Sequence, residues 1–381
     1  MASRTPQRTL VVVQLSGGND ALNTVVPYTN GLYYENRPQV NIAPEDVLPI
    51  SDTLGFHPSM GPIKHLWDEG KVAVINGIGY PHPNRSHFRS LDVWHTAESE
   101  HIGQEGWLGK VIRDLDPKGE NVLTGVNFGR GLLRSLYAKG VPVASVGNLE
   151  TYGLFPDIQD DSMRHMALQA FSQMYGGEGK DMIAQYLTQM GTDALQGADI
   201  LRMAPQRYTS HITYPNTPLA QNMKAIAQVL SADVGTRVYH TEHRSFDTHA
   251  AELTSHAKLW TEVSTAIGAF MDDLKEQGKE EHVVILMFSE FGRRIRDNGA
   301  GTDHGSGGVA FVVGTPVQGG MYGEYPSLRD EDQLEGDLHF TNDFRSTYST
   351  LVDRWLGLDP VSITNGMYEQ FDFIGRTAKQ S

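Results

Sequence analysis

The sequence predicts an α/β protein, a mostly parallel central sheet with helices on both faces. Three observations lead there. Short apolar runs recur at 9–15, 71–75 and 282–288. Helical patterns separate them, the longest spanning Leu253 to Leu274, so strand and helix alternate. Polar residues also gather where apolar runs end, and parallel sheets bind ligands outside the carboxyl ends of their strands.

Taken in order, Thr9-Leu10-Val11-Val12-Val13-Gln14-Leu15 is apolar on both faces, as a buried parallel strand is. A helix follows over 59–69, opened by Ser59 and closed by Gly70. Lys71-Val72-Ala73-Val74-Ile75 forms the next strand and leads into a loop rich in Gly and Pro over 77–85. A helix then begins at Ser86 or His87. Shorter strands are expected at 124–128 and 142–146. Residues 150–232 are rich in Met, Gln and Ala with few strand signals, and predict a helical insertion within one domain spanning 1–381. The sheet resumes at 236–240. Leu253, Leu259, Val263, Ile267, Phe270 and Leu274 then recur at helical spacing. Strands at 282–288 and 308–314 flank a Gly-rich loop, and a last helix runs over 342–356 with Gly357 as its stop.

Composition narrows the function. With 39% hydrophobic and 20% charged residues, a packed core is expected. No run of about eighteen or more apolar residues occurs, which argues against a membrane-spanning helix. A net charge of −15 repels nucleic acid and anionic lipid, although metals and arginines can reverse the potential locally. The lack of cysteine removes disulfides, thiolate metal sites and Cys nucleophiles, and leaves the compartment open. Residues 1–8 are short and polar and do not read as a signal peptide.

Four strand-end clusters carry the chemistry. In Ser16-Gly17-Gly18-Asn19-Asp20 the glycines permit a sharp turn, after which Asn19 and Asp20 offer oxygen ligands. Asp247 and His249, two apart, leave an extended chain on the same side and suit one metal. His240 and His243 just upstream are separate candidates. Glu290 ends an apolar strand, where a carboxylate needs a metal or a partner such as Arg293 or Arg294. Asp303 and His304 sit among glycines, with few neighbours for packing to explain them. Asp, Glu and His together fit a divalent ion, Zn, Mn or Ca. Ser86 has two readings. It is a preferred N-cap; it is also a hydroxyl at a helix N-terminus, where an anionic ester would bind and where Arg85 and His87 could assist attack. Walker A, dinucleotide, Gly-x-Ser-x-Gly and His-Glu-x-x-His motifs are absent.

Seven segments in order along nearly the whole chain carry a family resemblance: Leu15-Ser16-Gly17-Gly18-Asn19-Asp20, Asn84-Arg85-Ser86-His87-Phe88, Gly106-Trp107-Leu108-Gly109, Phe246-Asp247-Thr248-His249, Ser289-Glu290-Phe291-Gly292-Arg293, Gly301-Thr302-Asp303-His304-Gly305 and Thr341-Asn342-Asp343-Phe344-Arg345. The chain resembles the bacterial, usually exported, sulfatase-like family called domain of unknown function 1501. That family is similar to the alkaline phosphatase and sulfatase superfamily. The resemblance implies that superfamily's fold, Asp20 as a strand-end metal ligand, Ser86 as nucleophile, and Asp247, His249, Glu290 and His304 as further ligands. It also implies an exported location, with the cytoplasm as the alternative. Two departures matter. The Cys/Ser-x-Pro-x-Arg motif of formylglycine sulfatases is missing, and Glu290-Phe291 replaces a late Asp-His pair, which removes one His ligand. The expected activity is metal-dependent hydrolysis of a sulfate ester, on a carbohydrate or small molecule, without formylglycine and with Ser86 or a metal-bound water attacking. A phosphatase or phosphodiesterase, and a non-catalytic metal-containing binding protein, are the alternatives.

Overall fold

The structure, a computed structural model, describes residues 7–149 and 200–375 and, between them, positions 152, 162, 163, 166, 167, 170, 197 and 198. Its strands are β1 (Thr9–Leu15), β2 (Val25–Val26), β3 (Leu48–Pro49), β4 (Gly55–Phe56), β5 (Val72–Gly79), β6 (Gly125–Phe128), β7 (Ala144–Val146), β8 (Val238–His243), β9 (Val283–Phe288), β10 (Gly308–Val313), β11 (Gly320–Tyr322) and β12 (Asn342–Asp343). The main sheet has the order β11-β5-β10-β9-β1-β8-β6-β7, with β12 beside β5, while β2, β4 and β3 form a small separate sheet.

Strand β1 lies between β8 and β9, parallel to both, and the parallel run continues through β6 to β7. Among the described strands of the main sheet, only β10 runs against its neighbours, β5 and β9. This reversal has a functional consequence. The loops after β1, β5, β8 and β9 leave one edge of the sheet, and the loop before β10 reaches that same edge. The segment carrying Asp303 and His304 therefore joins the strand-end clusters even though it precedes its strand.

The apolar runs bury both faces. Val11 and Val13, Val283 and Ile285, and Val309 and Phe311 belong to one core; Leu10 and Val12, Val284 and Leu286, and Ala310 and Val312 belong to the other. Side chains alternate along a strand, so each run serves both layers. Helices α1 (Ala21–Thr24) and α2 (Gly31–Asn36) follow β1. The first core is covered by α3 (Gly61–Asp68), α6 (Pro218–Ser231) and α7 (Glu252–Glu276), through Ile63, Met223, Ile226, Trp260 and Ile267. On the other face lie α4 (His87–Thr96), α5 (Trp107–Leu115), α8 (Phe344–Thr350) and α9 (Pro360–Thr364), through Trp94, Trp107, Tyr348 and Ile363.

Several boundaries differ from expectation. β5 runs on to Gly79, and β8 ends at His243, so His240 and His243 are strand residues. Helix α5 was not anticipated, although Trp107, Leu108, Val111 and Ile112 carry its buried stripe. The expected helix over 342–356 opens as β12, becomes α8, and closes in a π-turn over Leu351–Trp355. Within 150–232, residues 200–207 and α6 are helical; most of 150–196 lies outside the described residues. Among the described residues no helix is long and apolar enough to cross a membrane.

Candidate metal centre

Three of the loops at the β1 edge, those after β5, β8 and β9, bring ionisable side chains together against the turn after β1. Their approach depends on glycine. Gly17 and Gly18 both have positive φ, 125° and 75°. A Cβ on Gly17 would collide with the Phe246–Asp247 backbone, and one on Gly18 with the Phe291 ring. Only glycines let the three turns pack this closely.

At the centre is Asp247. Its Oδ1 lies 3.1 Å from His249 Nε2 and 3.1 Å from His304 Nε2, and its Oδ2 lies 3.7 Å from His87 Nε2. The two imidazole nitrogens of His249 and His304 are 3.0 Å apart. The ligand atoms of His87, Asp247 and His304 all fall within 4.8 Å of one another.

The other nitrogen of each ring is held. His87 Nδ1 meets Glu290 Oε1 at 2.7 Å, His249 Nδ1 meets Asp303 Oδ1 at 3.0 Å, and His304 Nδ1 meets the Arg85 carbonyl at 2.8 Å. A carbonyl or carboxylate oxygen only accepts, so each Nδ1 carries the hydrogen and donates. In the neutral rings each Nε2 is then a lone pair, and all three turn toward Asp247. Neutral rings packed at 3.0–3.1 Å around a carboxylate leave room for a cation to be shared between them. Around a tetrahedral ion with ligand distances of ~2.0–2.1 Å the ligand–ligand edges are ~3.3–3.4 Å, between the shortest and the longer separations in this cluster. The held Nδ1 hydrogens match the way metal-bound histidines are oriented by neighbouring carboxylates and carbonyls.

Arg293 braces the cluster. It is fully buried and donates to Asp247 Oδ1 at 2.6 Å, to the Gly18, Thr302 and Phe246 carbonyls at 2.7, 2.9 and 3.1 Å, and to the Gly17 carbonyl. Burial pushes the Asp247 carboxyl up, but the bond from Arg293 and its charge work against burial, and the pKa comes down to about 2. The bond to Glu290 holds His87 above its ordinary value against the effect of burial. Asn298 and His249 hold Asp303 below its own.

The expected site is therefore partly redrawn. Asp247, His249 and His304 come together as expected. His87, expected to assist catalysis, points its Nε2 into the cluster. Glu290 and Asp303, expected as ligands, stand one layer out. Glu290 takes the His87 ring, the Gly17 N–H at 2.9 Å and the Ser289 hydroxyl at 3.1 Å, while Arg293, its expected partner, is bound to Asp247. Asp20 and Asn19 are elsewhere. The fully buried Asp20 accepts from both terminal nitrogens of Arg37 and caps α1 through Leu22 N–H. Asn19 accepts from Thr24 and faces His256. His240 faces Asn127, and His243 lies 3.3 Å from Glu262. Ser86 is the exposed N-cap residue of α4, and its hydroxyl makes no capping bond. The Arg85 side chain donates to buried Asp337 at 2.9 Å, which also lies 3.6 Å from Arg294. Arg37, Glu252 and Asp337 were not anticipated, because each acts through a partner distant in sequence and no local pattern marks it.

Fold and site together define an α/β protein with a His/Asp cluster able to hold a metal ion at the carboxyl edge of its sheet. The chain belongs to the family described as "Protein of unknown function (DUF1501)", whose model matches residues 7–367. No curated protein matches it in sequence. Among solved structures it is similar to the phosphonate monoester hydrolase of Agrobacterium radiobacter, at 12% identity over 98% of this chain and 78% of that one, with a TM-score of 0.46. It is also similar to the PsFucS1 sulfatase from Pseudoalteromonas sp. (13% identity, 98% and 74% of the two chains, TM-score 0.41). A protein in the alkaline phosphatase superfamily from Vibrio parahaemolyticus resembles it at 9% identity over 85% and 65%, with a TM-score of 0.34. These likenesses are distant and carry no argument about chemistry.

Proposed function

We propose that His87, Asp247, His249 and His304 hold one divalent ion and that the site hydrolyses a sulfate ester. The carrying observation is the inward turn of three imidazole Nε2 atoms onto one carboxylate, with every Nδ1 held from outside by an oxygen. Three nitrogens and a carboxylate favour Zn over the oxygen-seeking Ca. When bound, the ion would polarise an ester oxygen and lower the pKa of a nearby hydroxyl or water.

The chain's own residues supply the rest. Ser86 is free of capping and lies next to His87, which supports it as the attacking hydroxyl. The first turn of α4 offers backbone N–H groups and a positive dipole end to an anionic ester. Charge supports sulfate over phosphate. Arg293 is committed to Asp247 and backbone carbonyls, and Arg85 to Asp337, while Glu290, Asp247 and Asp303 add negative charge. A phosphate monoester brings nearly two negative charges near neutral pH, which this surround opposes more strongly than one. Phe88, 90% exposed beside His87, offers an apolar ring face that suits a sugar carrying the ester. An exported location rests on the family resemblance.

The test is turnover of sulfated and phosphorylated chromogenic esters by metal-loaded protein. The reading expects sulfate hydrolysis that is lost on chelation and in His304→Ala. Hydrolysis of phosphate esters alone would move the substrate class. Tight metal uptake without turnover of either class would leave a binding protein.

A further inference from the structure

A second set of ionisable groups is buried beneath the same loops. Asp20, Arg37 and Glu252 are all fully buried. Arg37 binds Asp20 directly, and Glu252 interacts with Asp20 and acts electrostatically on Arg37, so two carboxyls share one guanidinium; an uncompensated charge at such depth is strongly unfavourable. Two buried histidines are close enough to supply a second positive charge, and neither does. His57 Nδ1 accepts the Ser59 N–H at 3.0 Å, which only a neutral ring does. His256 Nε2 lies 3.1 Å from Asn19 Oδ1 and 3.2 Å from the Trp260 indole nitrogen, while its buried Nδ1 has no hydrogen-bond partner, so a second ring proton would be left unpaired. Burial agrees, pushing His57 down to about 4 and His256 to about 3. Tyr33 and Tyr325, also facing Asp20, are held neutral by burial, and Arg293 acts on His256. The balancing proton therefore sits on a carboxyl. Asp20 takes three N–H donors, one from Leu22 and two from Arg37, so it is the ionised one.

We propose that Glu252 is kept as a neutral carboxylic acid donating to the Asp20 carboxylate, and that in this state it positions the loop carrying Asp303 and His304. The contacts define the role. The Thr302 hydroxyl donates to Glu252 Oε2 at 2.6 Å, and the Glu252 N–H donates to the Ala300 carbonyl at 3.2 Å. Asn23 Nδ2 approaches Glu252 Oε1 at 3.4 Å. Thr302 in turn bonds the Thr248 carbonyl through its N–H at 3.2 Å, and its own carbonyl accepts from Arg293. One carboxyl thus ties the Asp20 turn to the loops bearing His249 and His304. Burial first, and the Asp20 charge next, push the Glu252 pKa up to about 9, in keeping with a proton retained at neutral pH.

The metal role of that loop rests on the proposed function; the protonation state does not, and the experiment separates them. Infrared spectra of the whole protein at neutral pH should show a protonated-carboxyl C=O stretch above the amide bands, absent in Glu252→Gln. Gln copies the neutral acid, with an N–H in place of the O–H. Titration with Zn²⁺ alone should therefore give Glu252→Gln an affinity within about threefold of wild type, and Glu252→Ala one weaker by about ten- to a hundredfold, as for other supports of metal ligands. A missing band in wild-type protein overturns the proposal. So does a Gln variant as impaired as the Ala variant. If Glu252→Ala does not fold, the spectrum and the Gln variant decide. Wild-type protein that takes up no Zn²⁺ would remove the metal reading while the infrared result still stands for Glu252.

Discussion

Arg293→Ala gives the most exacting stability prediction. The side chain is fully buried and donates to Asp247 and to the carbonyls of Gly17, Gly18, Phe246 and Thr302. Removing one partner of a buried ionic pair costs ~3–5 kcal/mol. Asp247 is about half exposed, so water would recover part of that term. The abandoned carbonyls work the other way, at ~1–3 kcal/mol for each one left buried and unsatisfied, and they are not additive. The two corrections oppose each other, and the expected loss stays at ~3–5 kcal/mol. Urea unfolding at neutral pH measures it, with an unchanged slope showing that cooperativity persists. Arg293→Lys should recover only part, because a single ammonium cannot span carbonyls on three turns. A loss below ~1 kcal/mol for the Ala variant would refute the bracing role, since that is the scale of an ordinary substitution.

Other outcomes follow from the same geometry. Glu290→Ala frees the His87 ring and should weaken metal affinity by about ten- to a hundredfold in competition with a chelating dye; unchanged affinity would remove Glu290 from the support of the site. Ser86→Ala should lower turnover by orders of magnitude yet change stability by less than ~0.5 kcal/mol, because the hydroxyl makes no capping bond, and the reverse pattern would make Ser86 a cap. Acid should unfold the protein steeply: burial holds His57, His95, His240 and His256 down at about 4, 4, 3 and 3, so below the ordinary histidine value the unfolded chain binds protons that the folded one refuses. Glu252, raised to about 9, opposes this by one proton, leaving a net uptake of about three near pH 5, or ~4 kcal/mol of stability lost per pH unit; a flat stability curve between neutral pH and pH ~5 would contradict it.

Some of this was legible in the sequence. β1, β9 and α7 were readable because their side chains pack one or two layers in strict period. Asp247 and His249 were readable as a pair two apart, and His304 by its setting among glycines. What could not be read was direction and partnership. Periodicity does not encode that β10 runs antiparallel, yet that reversal is what brings His304 to the site. A strand-end Asp looks the same whether it meets a metal or an arginine from the loop after α2, as Asp20 does. Glu290 and Asp303 belong to the site by position, but only the structure shows that their oxygens face ring nitrogens from outside. The short strands β11 and β12 have too few residues to show any pattern.

Anomalous scattering from Zn-loaded crystals would show which side chains hold the ion. One strong peak is expected at ~2.0–2.2 Å from the Nε2 atoms of His249 and His304 and from an Asp247 oxygen, with His87 Nε2 completing the set. Asp20 should keep its bonds to Arg37 and show no peak. A peak at Asp20, or none between His249 and His304, would rule out this ligand set.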